Sequence, residues 1–246
     1  MRDDPLVLGI DTAGILGGVA LARPGRLLGE VRCDARAAAS ERILPQISRL
    51  LEDLGLPKSA IARIGVAVGP GSFTGQRVGV ATARGLAQGL GVPLVGVSSL
   101  RARAYDLGAP GVAVLVVSNH RRGEVFCSAG SWTDGASFGE YLPEASRPLA
   151  DAAVWGEEAH AAARVAGHRD LICTGDAAIS FSESIDPALA ADRIRIIPGP
   201  PGARPGAVAL IAAAGGGEPA SGEEGLLPRY LRGSYARRPP AAGGGG

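Results

Sequence analysis

GVAVGPGSFTGQRVG, residues 65–79, runs from an apolar strand through a glycine-rich loop straight into a helix. Glycine carries no side chain to hold a neighbour off, so backbone amides in such a loop can approach another group closely. Ser72 and Thr74 can cap the helix, whose first N–H groups otherwise lack acceptors. An anion at this helix end is the first expectation. Two familiar phosphate loops fail on these residues. A Walker-type loop needs Lys then Ser or Thr after its last glycine, and here Gly75 is followed by Gln76 and Arg77. A dinucleotide loop needs its third glycine where Thr74 stands, and an acidic residue after the next strand. That strand, 93–97, is followed by Ser98 and Ser99, and no acidic residue occurs before Asp106.

Working outward from the loop, the pattern is that of an α/β protein. Strands are predicted at about 5–11, 16–22 and 27–33, separated by glycine-rich turns as in a meander. A helix follows, with Ser40 as its N-cap. Ile43, Leu44, Ile47, Leu50, Leu51 and Leu54 recur at helical spacing until Gly55 and Pro57 stop it. Strand 63–68, helix 75–90 and strand 93–97 form a unit of the kind that builds parallel sheet. A helix from Ser98 to about Asp106 leads to strands at 111–118 and 124–130. Residues 133–200 are poorly periodic, with one helix near 157–166 and a short strand near 171–174. Pro and Gly clusters at 198–206 precede a helix at 206–214, and the tail 237–246, ending PPAAGGGG, has nothing to bury and is expected to be disordered. The domain expectation is a first lobe over 1–100 and a smaller second lobe over 101–236, whose helix near 206–214 can pack back on the first.

Composition narrows the class. The 246 residues are 46% apolar and 4% aromatic, so the core is built from Ala, Val, Leu and Ile. Twenty-five basic residues nearly cancel 24 acidic ones, leaving no overall field to gather nucleic acid. Direct tRNA binding by the chain alone is not indicated. No signal peptide fits the start and no run approaches membrane length, so a cytoplasmic protein is expected. Cys33, Cys127 and Cys173 are odd in number and far apart, and read as buried small apolar residues in a reducing compartment. His120, His160 and His168 are not paired at ligand spacing and read as surface or turn residues.

The stretch GPGSFTGQRVGVATARGLAQGLGVPLVGVSSL, residues 69–100, resembles the signature of the TsaB family, partner subunits in the synthesis of threonylcarbamoyladenosine on tRNA. LGIDTAGILGGVAL (8–21) and PRYLR (228–232) fit the same pattern. The resemblance implies a two-lobed actin-like ATPase fold, related to ribonuclease H, with a reduced second lobe. It also implies a TsaD-like catalytic subunit as partner, a TsaE-like ATPase reached through the complex, tRNA met only within the complex, and a homodimer as an alternative assembly. ATP would then be used by the complex on partner subunits, with no cofactor held tightly here. In the wider fold an opening turn faces nucleotide phosphates, and Asp11 and Thr12 are its candidates; the plainer reading has Asp11 bonding the backbone of its own turn.

TsaD-family relatives hold a metal through two histidines four residues apart, a spacing that puts both on one helix face. The matching positions here carry Ser99 and Arg103. The resemblance therefore implies no metal site and no catalytic residue, and the missing pair and missing HExxH speak against the metalloprotease activity that the label glycoprotease-like suggests. Where the family often has Asp-Ala-Arg before Glu and an aromatic, this chain has Asn119, His120 and Arg121, then Glu124 and Phe126. Along helix 75–90, Gly75, Gly79, Ala83 and Ala81, Gly85, Gly89 form two rows of small residues that can admit a neighbouring helix. Gly75, Arg77, Gly79 and Ala83 are the expected partner-binding residues, with a carboxylate expected to answer Arg77 at the helix's positive end. The alternative function is a free-standing actin-like ATPase or kinase using Asp11 and the glycine loop.

Overall fold

A computed structural model describes residues 4–34, 39–107, 111–121, 123–185, 193–199, 204–220, 226–229 and 231. The expected disordered tail at 237–246 lies outside them, as does the side chain of Ser40, proposed above as a cap. Two sheets share one plan. In the first, β1 (Leu6–Asp11), β2 (Leu16–Arg23) and β3 (Arg26–Asp34) form an antiparallel meander. After α1 (Ala39–Asp53), β4 (Ile61–Gly69) pairs parallel to β1, and after α2 (Phe73–Leu90), β5 (Leu94–Ser98) pairs parallel to β4. The second sheet repeats this order with β6 (Ala113–Asn119), β7 (Glu124–Trp132), β8 (Phe138–Pro148), β9 (Leu171–Gly175) and β10 (Ile194–Pro198). Between them in sequence lies α3 (Ser99–Tyr105), while α4 (Ala152–Val165) and α5 (Ala178–Glu183) flank β9.

The outer face of each sheet buries its own apolar layer. Ile43, Ile47, Leu50 and Leu51 of α1 join Val80, Ala83 and Ala87 of α2 over the first sheet. Leu44, counted above in the same periodic set, faces solvent. Trp155, Ala159 and Phe181 cover the second sheet. The inner layer is α3 with α6 (Pro205–Ala213), whose Ala207, Val208 and Ile211 cluster with Leu100, Val114, Phe126 and Trp132 between the sheets. Chain order and lobe membership part company after β10, because α6 and the short β11 (Glu218–Pro219) return to the first sheet.

α6 is apolar almost all round, as a helix buried on every side must be. It lies close against the first sheet because two strand positions are glycine. A Cβ on Gly65 would stand 2.8 Å from the Cβ of Ala212, and one on Gly9 would run into the carbonyl of Pro205. Its ends are held by charges that suit the helix dipole: Glu30 Oε1 accepts from Gly206 N at 2.9 Å, and Arg63 Nη1 donates to Ala212 O at 2.8 Å.

Candidate functional site

The C-terminal ends of β1, β4, β6 and β9 meet at a cleft between the lobes, a hollow of about 480 Å³ lined among others by Asp11, Ser72, Phe73, Ser99, Arg103, Asn119 and Asp176. In open α/β sheets this end of the strands is where ligands sit. What the cleft can do depends on which of its polar groups are already committed.

The Asp11–Thr12 turn is committed on both residues. Asp11 is buried; its Oδ1 accepts from Ala13 N at 2.9 Å and its Oδ2 from Arg204 N at 2.8 Å. Burial pushes its carboxyl above the ordinary range, against the opposing pull of those two N–H groups and of Arg103 and Arg204. Thr12 Oγ1 donates to Gly75 O at 2.6 Å. The turn thus closes its own backbone and seats the start of α6, each carboxyl oxygen of Asp11 already accepting one backbone N–H.

The glycine loop is stitched to the same turn. Ser72 caps α2, its Oγ accepting from Gly75 N at 3.3 Å, and Ser72 N donates to Ala13 O at 2.7 Å. Side chains on Gly71 or Gly75 would collide with the carbonyls of Ala13 or Thr12, and one on Gly79 with Thr12 Oγ1. Gly79 and Ala83, two of the expected partner-binding positions, are buried within this chain, because their row lets α2 lie against the Asp11–Thr12 turn and the first sheet. Gly75 is half-buried on the same turn. The other row, Ala81, Gly85 and Gly89, faces outward, and a Cβ on Gly85 or Gly89 would meet open space. Arg77 is exposed, its guanidinium 4.0 Å above the ring of Phe73 in a cation–π contact.

The two positions matching the metal-binding histidines sit on α3, whose N-cap Ser98 accepts from Leu100 N and Arg101 N. Ser99 is buried with its hydroxyl unpartnered among the described residues. Arg103 Nη1 pairs with Asp176 Oδ1 at 3.3 Å, and the same oxygen accepts from Ser118 Oγ at 2.8 Å and Asn119 N at 3.2 Å. A guanidinium and a lone hydroxyl do not fit a metal, and the described residues hold no group of three or more His, Cys, Asp or Glu that could bind one. The carboxylate is satisfied by a cation that belongs to the chain itself.

Residues 32–181 match the family model for TsaD: tRNA N6-adenosine threonylcarbamoyltransferase, more than half of the chain. The tRNA threonylcarbamoyladenosine biosynthesis protein TsaB of Bacillus subtilis (strain 168) is 32% identical over 145 residues, covering 59% of this chain and 63% of that protein. YeaZ from Pseudomonas aeruginosa superposes with a TM-score of 0.69 at 25% identity, over 92% of this chain and all of that one. The chain belongs to the TsaB/YeaZ family. The matched stretch spans less than two thirds of the Bacillus protein's own length. The two-lobed fold reaches beyond TsaB/YeaZ: a ROK hexokinase from Thermus thermophilus matches with a TM-score of 0.51 at 16% identity, over 85% of this chain and 97% of that one.

Three features of this TsaB/YeaZ chain escaped the sequence reading. Glu144, on β8, lies buried between Arg101 at 3.6 Å and Arg229 at 3.5 Å, its carboxyl raised by burial. Arg229, within the PRYLR motif, also donates its N–H to Val68 O at 2.7 Å and pairs with Glu218, so one residue ties β4 to β8. Arg204 pairs with Asp106 while its N–H holds Asp11. The motif flagged Arg229 without its role, and nothing local in sequence marks Glu144 or Arg204.

Proposed function

We propose that this chain is a noncatalytic subunit of the assembly that makes threonylcarbamoyladenosine on tRNA, binding a TsaD-like catalytic subunit and supporting its activity. The observation that carries this reading is the Arg103–Asp176 pair, a fixed internal cation at the place where catalytic relatives present a metal ligand. The tied Asp11–Thr12 turn supports it from the nucleotide side. ATP and metal then act on the partner subunits, including a TsaE-like ATPase, and tRNA is modified in the assembly. The outward face of α2 is the proposed partner contact: the open row Ala81, Gly85, Gly89, with Arg77 and Phe73 beside it. With no partner present the same face would serve a second copy of the chain.

Reconstitution tests the proposal. The purified chain should turn over no ATP by itself and should raise tRNA modification when added to a TsaD-like subunit and its companions. ATP turnover by the isolated chain, abolished by Asp11→Ala, would replace this reading with the free-standing ATPase. Modification that proceeds equally well without the chain would remove it from the assembly.

A further inference from the structure

The parallel strands of the second sheet begin at the end opposite the cleft, roughly 17 Å away across five residues of strand. Two hollows adjoin there, of about 630 Å³ and about 410 Å³, and both are lined by Arg169, Asp170 and Arg193. Arg195 adds to the larger and Arg164 to the smaller. All four arginines are exposed, and among the described residues none is ion-paired with a carboxylate. Among the described residues of the two linings, Asp170 is their only acidic companion. A chain with a net charge of +1 has thus gathered a strongly positive patch in one place.

Local structure explains how the charges stay together. Arg164 lies in the last turn of α4, where the helix's negative end favours a cation. Arg193, in the turn just before β10, and Arg195 flank buried Ile194, about 7 Å apart along extended chain, of the order of the step between successive phosphates of a nucleic-acid strand. His168 lines the larger hollow, its Nε2 held by Tyr141 Oη at 2.5 Å. His160, nine-tenths buried, lines the smaller, and its Nε2 has no partner among the described residues.

From this arrangement we infer that the floor of the second sheet is a phosphate-binding surface for an RNA strand. Repeated guanidinium groups across two joined hollows match a ligand with a charge at every step. Among the described residues the smaller hollow is lined by polar side chains, while the larger also presents Ile172, Ile194 and Ile196. Arginines that contact phosphates position a strand without reading its sequence. The identity of that RNA as tRNA rests on the proposed function; the argument from charge does not.

The test titrates the full chain with a fluorescent tRNA transcript and with an unrelated RNA hairpin, from about 50 mM salt upward. Both RNAs should bind, and log K should fall with log salt by about 0.7 to 0.9 per phosphate contacted. Arg169→Glu with Arg193→Glu should weaken both RNAs at least tenfold and flatten the salt slope, with an unchanged circular dichroism spectrum. Arg49→Glu, on α1, should leave both unchanged. If the double variant folds poorly, Arg164→Gln and Arg195→Gln give the same reading singly. No RNA binding at low salt, or equal affinity in the charge-reversed chain, would overturn the inference. RNA binding through this floor by a chain that fails to support modification would sink the proposed function and leave the surface standing.

Discussion

Arg103 Nη1 meets Asp176 Oδ1 at 3.3 Å, joining the helix that leaves the first sheet to the turn that follows β9 in the second. Both side chains are largely buried, at 11% and 14% exposure, and the hydroxyl of Ser118 and the N–H of Asn119 converge on the same carboxyl oxygen. Removing one member leaves the other partly desolvated without its partner, which costs more than the pair contributes. Arg103→Met should therefore lower stability by about 2 kcal/mol. Urea denaturation of Arg103→Met, Asp176→Asn and the double variant gives the coupling directly. Additive single losses would show that the pair does not act as a unit.

The two small-residue rows of α2 should respond oppositely to an added methyl group. Gly79→Ala places a Cβ against Thr12 Oγ1 and should destabilise the fold, whereas Gly85→Ala enters open space and should stabilise it by up to about 1 kcal/mol through helix propensity. Thermal melts of the two variants suffice. A Gly79→Ala protein as stable as the parent would mean that the turn yields easily to α2.

Thiol chemistry should separate the three cysteines. Burial pushes Cys127 up to about 12 and Cys173 higher still, so neither supplies thiolate in the folded chain. Cys33 is half-buried and takes a hydrogen bond from Gln46 Nε2 at 3.0 Å. An aromatic disulfide reagent should react with one equivalent in the native protein and three after denaturation. Two fast equivalents would place another cysteine at the surface.

The pH response should run against the usual acid loss over part of its range. Burial raises the Glu144 carboxyl above its ordinary 4.5, with Ser98, Arg101 and Arg229 pulling it down. A carboxyl raised in the folded state contributes stability that is complete below its unfolded value and is lost as pH rises through the folded one. Between neutrality and the ordinary carboxylate range, acidification should recover that contribution. Glu144→Gln should flatten the slope of melting temperature against pH in this window, whatever it does to the absolute value. An identical slope in the variant would show that Glu144 does not titrate there.

Much of the first lobe was legible because each of its elements carries its own period and its own stop. Ile43, Ile47, Leu50 and Leu51 marked α1, and the 69–100 signature placed α2 between β4 and β5. The second lobe was harder for a physical reason. β8 is an edge strand with Leu142 buried among half-exposed neighbours and Pro143 within it, so its alternation is weak; β10 reads IRIIP, short and closed by proline. Of the site, Asp11, Thr12 and Arg103 were visible as positions, and the plainer reading of Asp11, bonding the backbone of its own turn, is met by Ala13 N, but its second oxygen's use was not visible. Its partner Arg204 lies 193 residues away, and no local pattern records such a distance. The direction in which the rows of α2 face was equally hidden, since both have the same spacing.

The glycines that admit α6 also set a timetable for folding. Gly9 and Gly65 await Pro205, Ala209 and Ala212, so the opening strands are synthesised long before the helix that covers their inner face. Until residue 213 has left the ribosome, that face of the first sheet lacks its native cover. Contacts of such long sequence separation slow folding, and apolar surface left open meanwhile is prone to self-association. A nascent chain halted before α6 would therefore be a client for chaperones, even though most of its first sheet has already been made.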